Sequence, residues 1–275
     1  MSRLIGVVIL IVLLLVVAGI FIAKLMDFRV EADRVRCQDN LRHIGFGTFH
    51  AGMPEGTIVN AALSPEERLS WYVGALGDLE QGASKPAPGA KKAARPTALS
   101  DIIASIDRKA PWDAPANARA AHTRVATLLC PANLATWPEG QPALTQYVGT
   151  AGIGLDVAGL SRDQAGKRAG AFRYDEPTPL DVITDGQSNT IAVAETNREL
   201  GPWIRGGPST VRGLDLNVTP YLGRGRQFAG LHLKGGNFGF CDGSARFIAE
   251  TIDPAVFRAL LTIAGGEKDD IDTAE

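Results

Sequence analysis

The longest apolar run lies at the start of the chain. Leu4–Ala23 reads LIGVVILIVLLLVVAGIFIA, without a charge or a proline. A helix rises about 1.5 Å per residue, so roughly 20 residues cross a hydrocarbon core about 30 Å thick. All its backbone polar groups are then bonded within the helix, as lipid requires. The run predicts a transmembrane helix over residues 1–27. A cleaved signal peptide has a shorter apolar stretch and small residues at its cut. Here Gly19, Ile20, Phe21, Ile22 and Ala23 lead straight into Lys24, so the helix is read as retained. Past the membrane the pattern turns amphipathic. Val30, Cys37, Leu41 and Ile44 share one helical face with charges between them, interrupted by Arg34. Gly45 and Gly47 are expected to stop the helix.

The next helical signal is Ser64 followed by Pro65, an N-cap and a first-turn proline, with apolar spacing to Gln81. The segment 82–97, GASKPAPGAKKAARPT, predicts a flexible exposed loop. Helix resumes at Ser100–Ile106, with a short one over Asn117–Thr123 and a strand over Val125–Leu129. From there strands dominate: Thr145–Gly149, Val211–Val218, and Thr190–Glu195 after a turn at Asp185–Asn189. The best hairpin joins Asn237–Cys241 to Ser244–Ile248. Its Asp242-Gly243 pair suits the positive φ angles of a tight turn. Asp253-Pro254 begins a last helix, and 266–275 is an acidic tail. The fold class expected is α+β: a long N-terminal helix packed on a mostly antiparallel β-sheet, in one domain over 28–265.

Charge narrows the function classes. The chain carries 28 basic and 30 acidic residues, net −2, and no basic patch interleaved with aromatics. A nucleic-acid partner is not expected. Flanking charge leaves topology open. Lys24, Arg29, Arg34 and Arg36 follow the membrane run and only Arg3 precedes it, which leans toward a cytoplasmic domain. That rule weakens for long translocated domains. The three cysteines, Cys37, Cys130 and Cys241, are too few for a disulfide framework and lack zinc-motif spacing.

Candidate chemistry is sparse. There is no H-E-x-x-H, nucleophile elbow or phosphate loop. His232 and Asp242 invite a binding or metal reading, but Asp242 and Gly243 are also the residues a turn wants. Asp185, Ser188 and Asn189 offer clustered oxygens. They lack the spacing of a calcium loop and suit a turn that caps its own backbone. No catalytic residue, metal or cofactor is expected.

Several segments, in order, resemble the DUF1559 family. This is a large family of planctomycete-type bacteria with a type IV pilin-like N-terminus and a C-terminal H-x9-D-G element. The clearest match is HLKGGNFGFCDG, His232 to Gly243, continuing as SARFI. Cys37-Gln-Asp-Asn-Leu-Arg-His-Ile-Gly resembles the family's helix end. Arg68-Leu-Ser-Trp, Leu79-Glu-Gln, Pro111-Trp-Asp, Leu129-Cys-Pro, Ile183–Ile191 and Glu195-Thr follow, so the likeness spans most of residues 34–250. It departs at the start: the prepilin Gly-Phe-Thr-Leu-Ile-Glu is not found, and the first acidic residue is Asp27. A tether kept in the membrane is therefore expected in place of a filament subunit.

The resemblance implies several expectations. Cys37 and Cys130 fall on family cysteine positions, which makes them the pair for any disulfide. The domain is expected to face the periplasm or the exterior, as a non-enzymatic protein of surface assembly or interaction. Its expected partners are the membrane, other envelope proteins or copies of itself. The alternative is an anchored binding module for a glycan, peptide or metal ion.

Overall fold

The computed structural model describes residues 2–49, 56–58, 60, 62–76, 98–132 and 140–266. The expected loop over 82–97, and the acidic tail past Gly266, lie outside them. One helix, α1, runs unbroken over Ser2–Phe49. At about 1.5 Å per residue it is roughly 70 Å long. It is long and apolar enough to cross a membrane. From Ile5 to Ile22 its large apolar side chains are 50% to 67% exposed on every face.

The second half of α1 behaves differently. Cys37, Leu41, Ile44 and Thr48 are buried at helical spacing. Three of these continue the expected stripe, but Val30 is 47% exposed and takes no part in it. Arg34 does pack, with its guanidinium 4.8 Å from the Phe247 ring centre and an ion pair to Glu31. The expected stop at Gly45 and Gly47 does not occur. Both glycines are buried, and the helix runs through them to Phe49. Tertiary packing on this face offsets the roughly 1 kcal/mol that each glycine costs a helix.

Two short strands, β1 (Thr57–Ile58) and β2 (Leu69–Ser70), pair antiparallel. This overturns the single helix expected from Pro65 to Gln81. Ser64 does start a turn: its carbonyl accepts the Glu67 and Arg68 N–H groups, while its own N–H and hydroxyl donate to Glu67 Oε2. The chain then goes extended because Ser70 N–H donates to the Ile204 carbonyl, and helix returns only at 72–76. Next come α2 (Ala98–Ala104) and α3 (Ala118–Ala121). The strand expected at Val125–Leu129 is a 3-10 turn over Ala126–Leu128.

The main sheet contains β3 (Tyr147–Ile153), β4 (Ile191–Glu195), β5 (Val211–Leu214), β6 (Gly235–Phe240) and β7 (Ala245–Ala249). Its order is β5-β3-β4-β6-β7. Three of the four pairings are antiparallel, while β3 and β5 run parallel. The β6–β7 hairpin forms where expected, but its turn is longer than a two-residue one. Cys241, Asp242 and Gly243 span it, and of these only Gly243 has positive φ. A last short helix, α4 (Pro254–Ala259), is capped by Asp253.

Both faces of the sheet are covered. One face buries Val148, Ile191, Ala194, Phe238 and Phe240 against Phe228, Phe257 and Leu261. The other carries Tyr147, Ala192 and Val193 under Leu41, Ile44, Trp71 and Trp203. A register shift between Ile191 and Val193 explains why neighbouring Ala192 and Val193 serve the same face. Gly239 of β6 lies beneath Leu41. A Cβ there would sit 3.6 Å from Leu41 Cδ2, an ordinary contact, so α1 is seated directly over this strand. The architecture is α+β and pilin-like, with half of the spine helix seated on a mostly antiparallel sheet.

Candidate functional site

The seat of α1 also holds polar groups. Cys37 is one turn ahead of Leu41 on the buried stripe. Below it β4 ends in Glu195. Strand alternation after Ala194 turns Glu195 toward the helix. Asn237 of β6 points the same way and donates both its backbone N–H and its amide to Glu195 Oε2, at 2.9 and 3.2 Å. Cys130 arrives from the loop after Ala126–Leu128, with its N–H fixed by Gln146 Oε1 at 2.8 Å. His232 comes from the loop before β6.

These four side chains converge. One ligand atom from each of Cys37, Cys130, Glu195 and His232 lies within 4.8 Å of all the others, and all four residues are buried. His232 Nε2 stands 3.3 Å from Cys130 Sγ and 3.3 Å from Glu195 Oε1. That carboxylate oxygen has no aligned hydrogen-bond donor. Burying a carboxylate costs several kcal/mol, and His232 Nε2, an ion-pair partner without hydrogen-bond alignment, pairs this oxygen only in part.

The proton affinities of these groups follow from the same packing. The hydrogen bond with Cys130 is the largest influence on Cys37 and lowers its pKa to about 7, although burial opposes this. The same contact, with burial, raises the Cys130 thiol. Burial disfavours charge on His232, but its contacts with Cys37 and Glu195 outweigh it and lift its pKa to about 10. Burial first, then the nearby negative charges, raises Tyr147. The Tyr147 hydroxyl bonds to Cys37 while accepting from Asn40 Nδ2 at 3.4 Å. Anionic groups gathered around His232 make a place that favours positive charge.

Of the residues singled out in the sequence, Cys37, Cys130 and His232 meet here. Asp242 and Gly243 do not. They sit at the opposite end of β6, where exposed Asp242 accepts the Ser244 N–H in a turn. The Asp242 N–H donates to the Gln187 carbonyl, which places it beside the Asp185–Asn189 turn. Asp185 is occupied with backbone, accepting the Gly265 and Gly266 N–H groups. Asn189 donates to the Asp185 carbonyl, and Ser188 is exposed. Cys241 is buried away from the cluster, and burial raises its thiol.

Sequence reasoning missed Glu195 as a site residue. Its signal was a lone carboxylate ending the apolar strand Ile-Ala-Val-Ala-Glu, at a position whose alternation faces inward. Residues 100–214 match the model of a family described as a protein of unknown function (DUF1559). Through that segment the chain is similar to the DUF1559 family. The matched DUF1559 segment contains Cys130 and Glu195, whereas Cys37 and His232 lie outside it. No curated protein matches the chain, and no solved structure does.

Proposed function

We propose that this DUF1559-like protein is a non-enzymatic, membrane-anchored, envelope-facing protein that works by presenting its α+β domain for surface assembly or interaction. The observation that carries the reading is the division of α1. One unbroken helix exposes apolar side chains on all faces over Ile5–Ile22, then buries a single stripe in the domain. An all-round apolar surface of that length needs lipid. A helix continuous with it holds the domain at the membrane without a slack linker.

The non-enzymatic part rests on access. Cys37 and Glu195 are fully buried, Cys130 is 2% exposed and His232 8%. A reacting substrate needs a concave, open surface, and this cluster is closed under α1. The exposed carboxylate of Asp242 and the turn at Asp185 are engaged with backbone.

Fractionation with protease shaving of intact cells tests the proposal. The protein is expected in the membrane fraction, with its domain cut by protease added outside cells whose outer layer has been opened. Recovery in the soluble fraction, or cleavage only after the inner membrane is broken, overturns it.

A further inference from the structure

We propose that Cys37, Cys130, His232 and Glu195 bind one zinc ion in a tetrahedral site that clasps α1 to the sheet domain. The donor set is two thiols, one imidazole and one carboxylate. This mixture of sulfur, nitrogen and oxygen ligands suits Zn2+ and is wrong for calcium or magnesium, which take oxygen. Zinc lies about 2.0–2.3 Å from such atoms, so tetrahedral ligands stand about 3.3–3.8 Å apart. His232 Nε2 is already 3.3 Å from both Cys130 Sγ and Glu195 Oε1, and the whole set fits within 4.8 Å. Closing onto an ion takes side-chain shifts only.

A second observation points to the same ligand. Glu195 Oε1 is buried and faces the cluster without an aligned donor, while Oε2 is held by Asn237. That leaves one oxygen for the ion and one fixed by an outer layer of hydrogen bonds, which is how metal carboxylates are oriented. Tyr147 supplies the matching outer contact to Cys37. On binding, the two thiols and the His232 imidazolium each give up a proton to solvent, and two thiolates with the Glu195 carboxylate then surround the dication, leaving the site with one net negative charge. Four protein ligands fill the tetrahedron and the site is buried, so the role is structural.

The ligands come from α1, the end of β4 and two loops far apart in sequence. Free energy of binding is therefore free energy of docking the helix. A Cys37–Cys130 disulfide is the competing use of the same sulfurs. It would spend both thiolates and leave His232 and Glu195 to each other, with Oε1 still poorly paired. The two states exclude one another.

The test uses the full chain, extracted in detergent under mild reduction and then freed of reductant. Metal content is measured by mass spectrometry and ligands by zinc-edge X-ray absorption. About one zinc per chain, with two sulfur and two lighter ligands, is expected from four-ligand chemistry. Cys37 and Cys130 should resist alkylation until a strong chelator is added, after which the thermal midpoint falls. Cys241→Ala should keep full zinc, whereas Cys130→Ser and His232→Ala should lose it. A folded, reduced wild-type protein that takes up no zinc on titration overturns the proposal, whether or not the variants fold. So does zinc bound without sulfur, or a Cys37–Cys130 disulfide in protein taken directly from cells under thiol-blocking conditions.

Discussion

Leu14 and Leu41 share a helix and a side chain but not an environment. Leu14 is 60% exposed, among neighbours equally exposed, while Leu41 is 1% exposed and rests over Gly239. The difference comes from what surrounds each leucine in sequence. Around Leu14 every residue is apolar, so no face is preferred and the helix needs a solvent that is apolar on all sides. Around Leu41 charged residues occupy the other faces, so only one stripe can be buried and the helix gains an orientation. Uniform hydrophobicity gives an address, and patterned hydrophobicity gives a docking pose. The polar cluster at Cys37 sits at the upper end of that pose.

Removing residues 2–27 should break the comparison most completely. The protein is expected to move wholly from the membrane pellet to the soluble fraction, with the thermal midpoint of the remainder unchanged, because the apolar window of that segment has no described residue buried in the domain. A fall in midpoint would mean that the apolar half of α1 supports the fold. Next in size is Leu41→Ala in the detergent-solubilised full chain. Emptying this site should cost about 2–5 kcal/mol, read by urea unfolding through the fluorescence of buried Trp71 and Trp203. The same substitution at Leu14 should leave the midpoint unmoved. Equal effects at the two leucines would erase the distinction.

Much of this was legible in the chain, for physical reasons that differ by element. Cys37, Leu41 and Ile44 were readable because helical periodicity is local. The continuation through Gly45 and Gly47 was not, because the sheet that supports it lies far away in sequence. Strand β3 extends to Ile153, further than its pattern suggests, since Gly149 and Gly152 weaken a strand signal that pairing on both edges restores. The region from Pro65 read as helix because Ser64, Pro65 and Glu67 do form a helix start, yet a bond to Ile204 took over at Ser70. At the site, Cys37 and Cys130 stood out by resemblance and His232 by its motif. Their meeting with Glu195 depends on two loops and a strand end, and no short spacing encodes that.

Gly236 and Gly239 of β6 face opposite sides of the sheet, and of the two only Gly239 lies under α1. A Cβ at Gly236 would lie 2.5 Å from Ala229 Cβ, tighter than packing allows. Gly236→Ala should cost about 1–3 kcal/mol through overpacking. At Gly239 the nearest atom is Leu41 Cδ2 at 3.6 Å, an ordinary contact, so Gly239→Ala should cost less than about 1 kcal/mol. Unfolding midpoints of the two variants rank the floors. If Gly239→Ala proves as costly as Gly236→Ala, α1 sits closer to β6 than the 3.6 Å contact with Leu41 implies.

The smallest effect belongs to the exposed side of the docked half. Asp39 and Arg42 pair at 2.7 Å on the helix surface, with half of each side chain in water. Water screens such a pair, and ordering two long side chains costs entropy, so Arg42→Ala should lose only about 0.2–0.5 kcal/mol. That loss should shrink as salt is raised, because the interaction is between exposed charges. Arg42 is one residue from Leu41, so the two variants perturb nearly the same point of α1. Unfolding curves at low and high salt separate them: a salt-independent loss at Arg42 comparable to that at Leu41 would show that the charged faces, and not the stripe, hold the helix down.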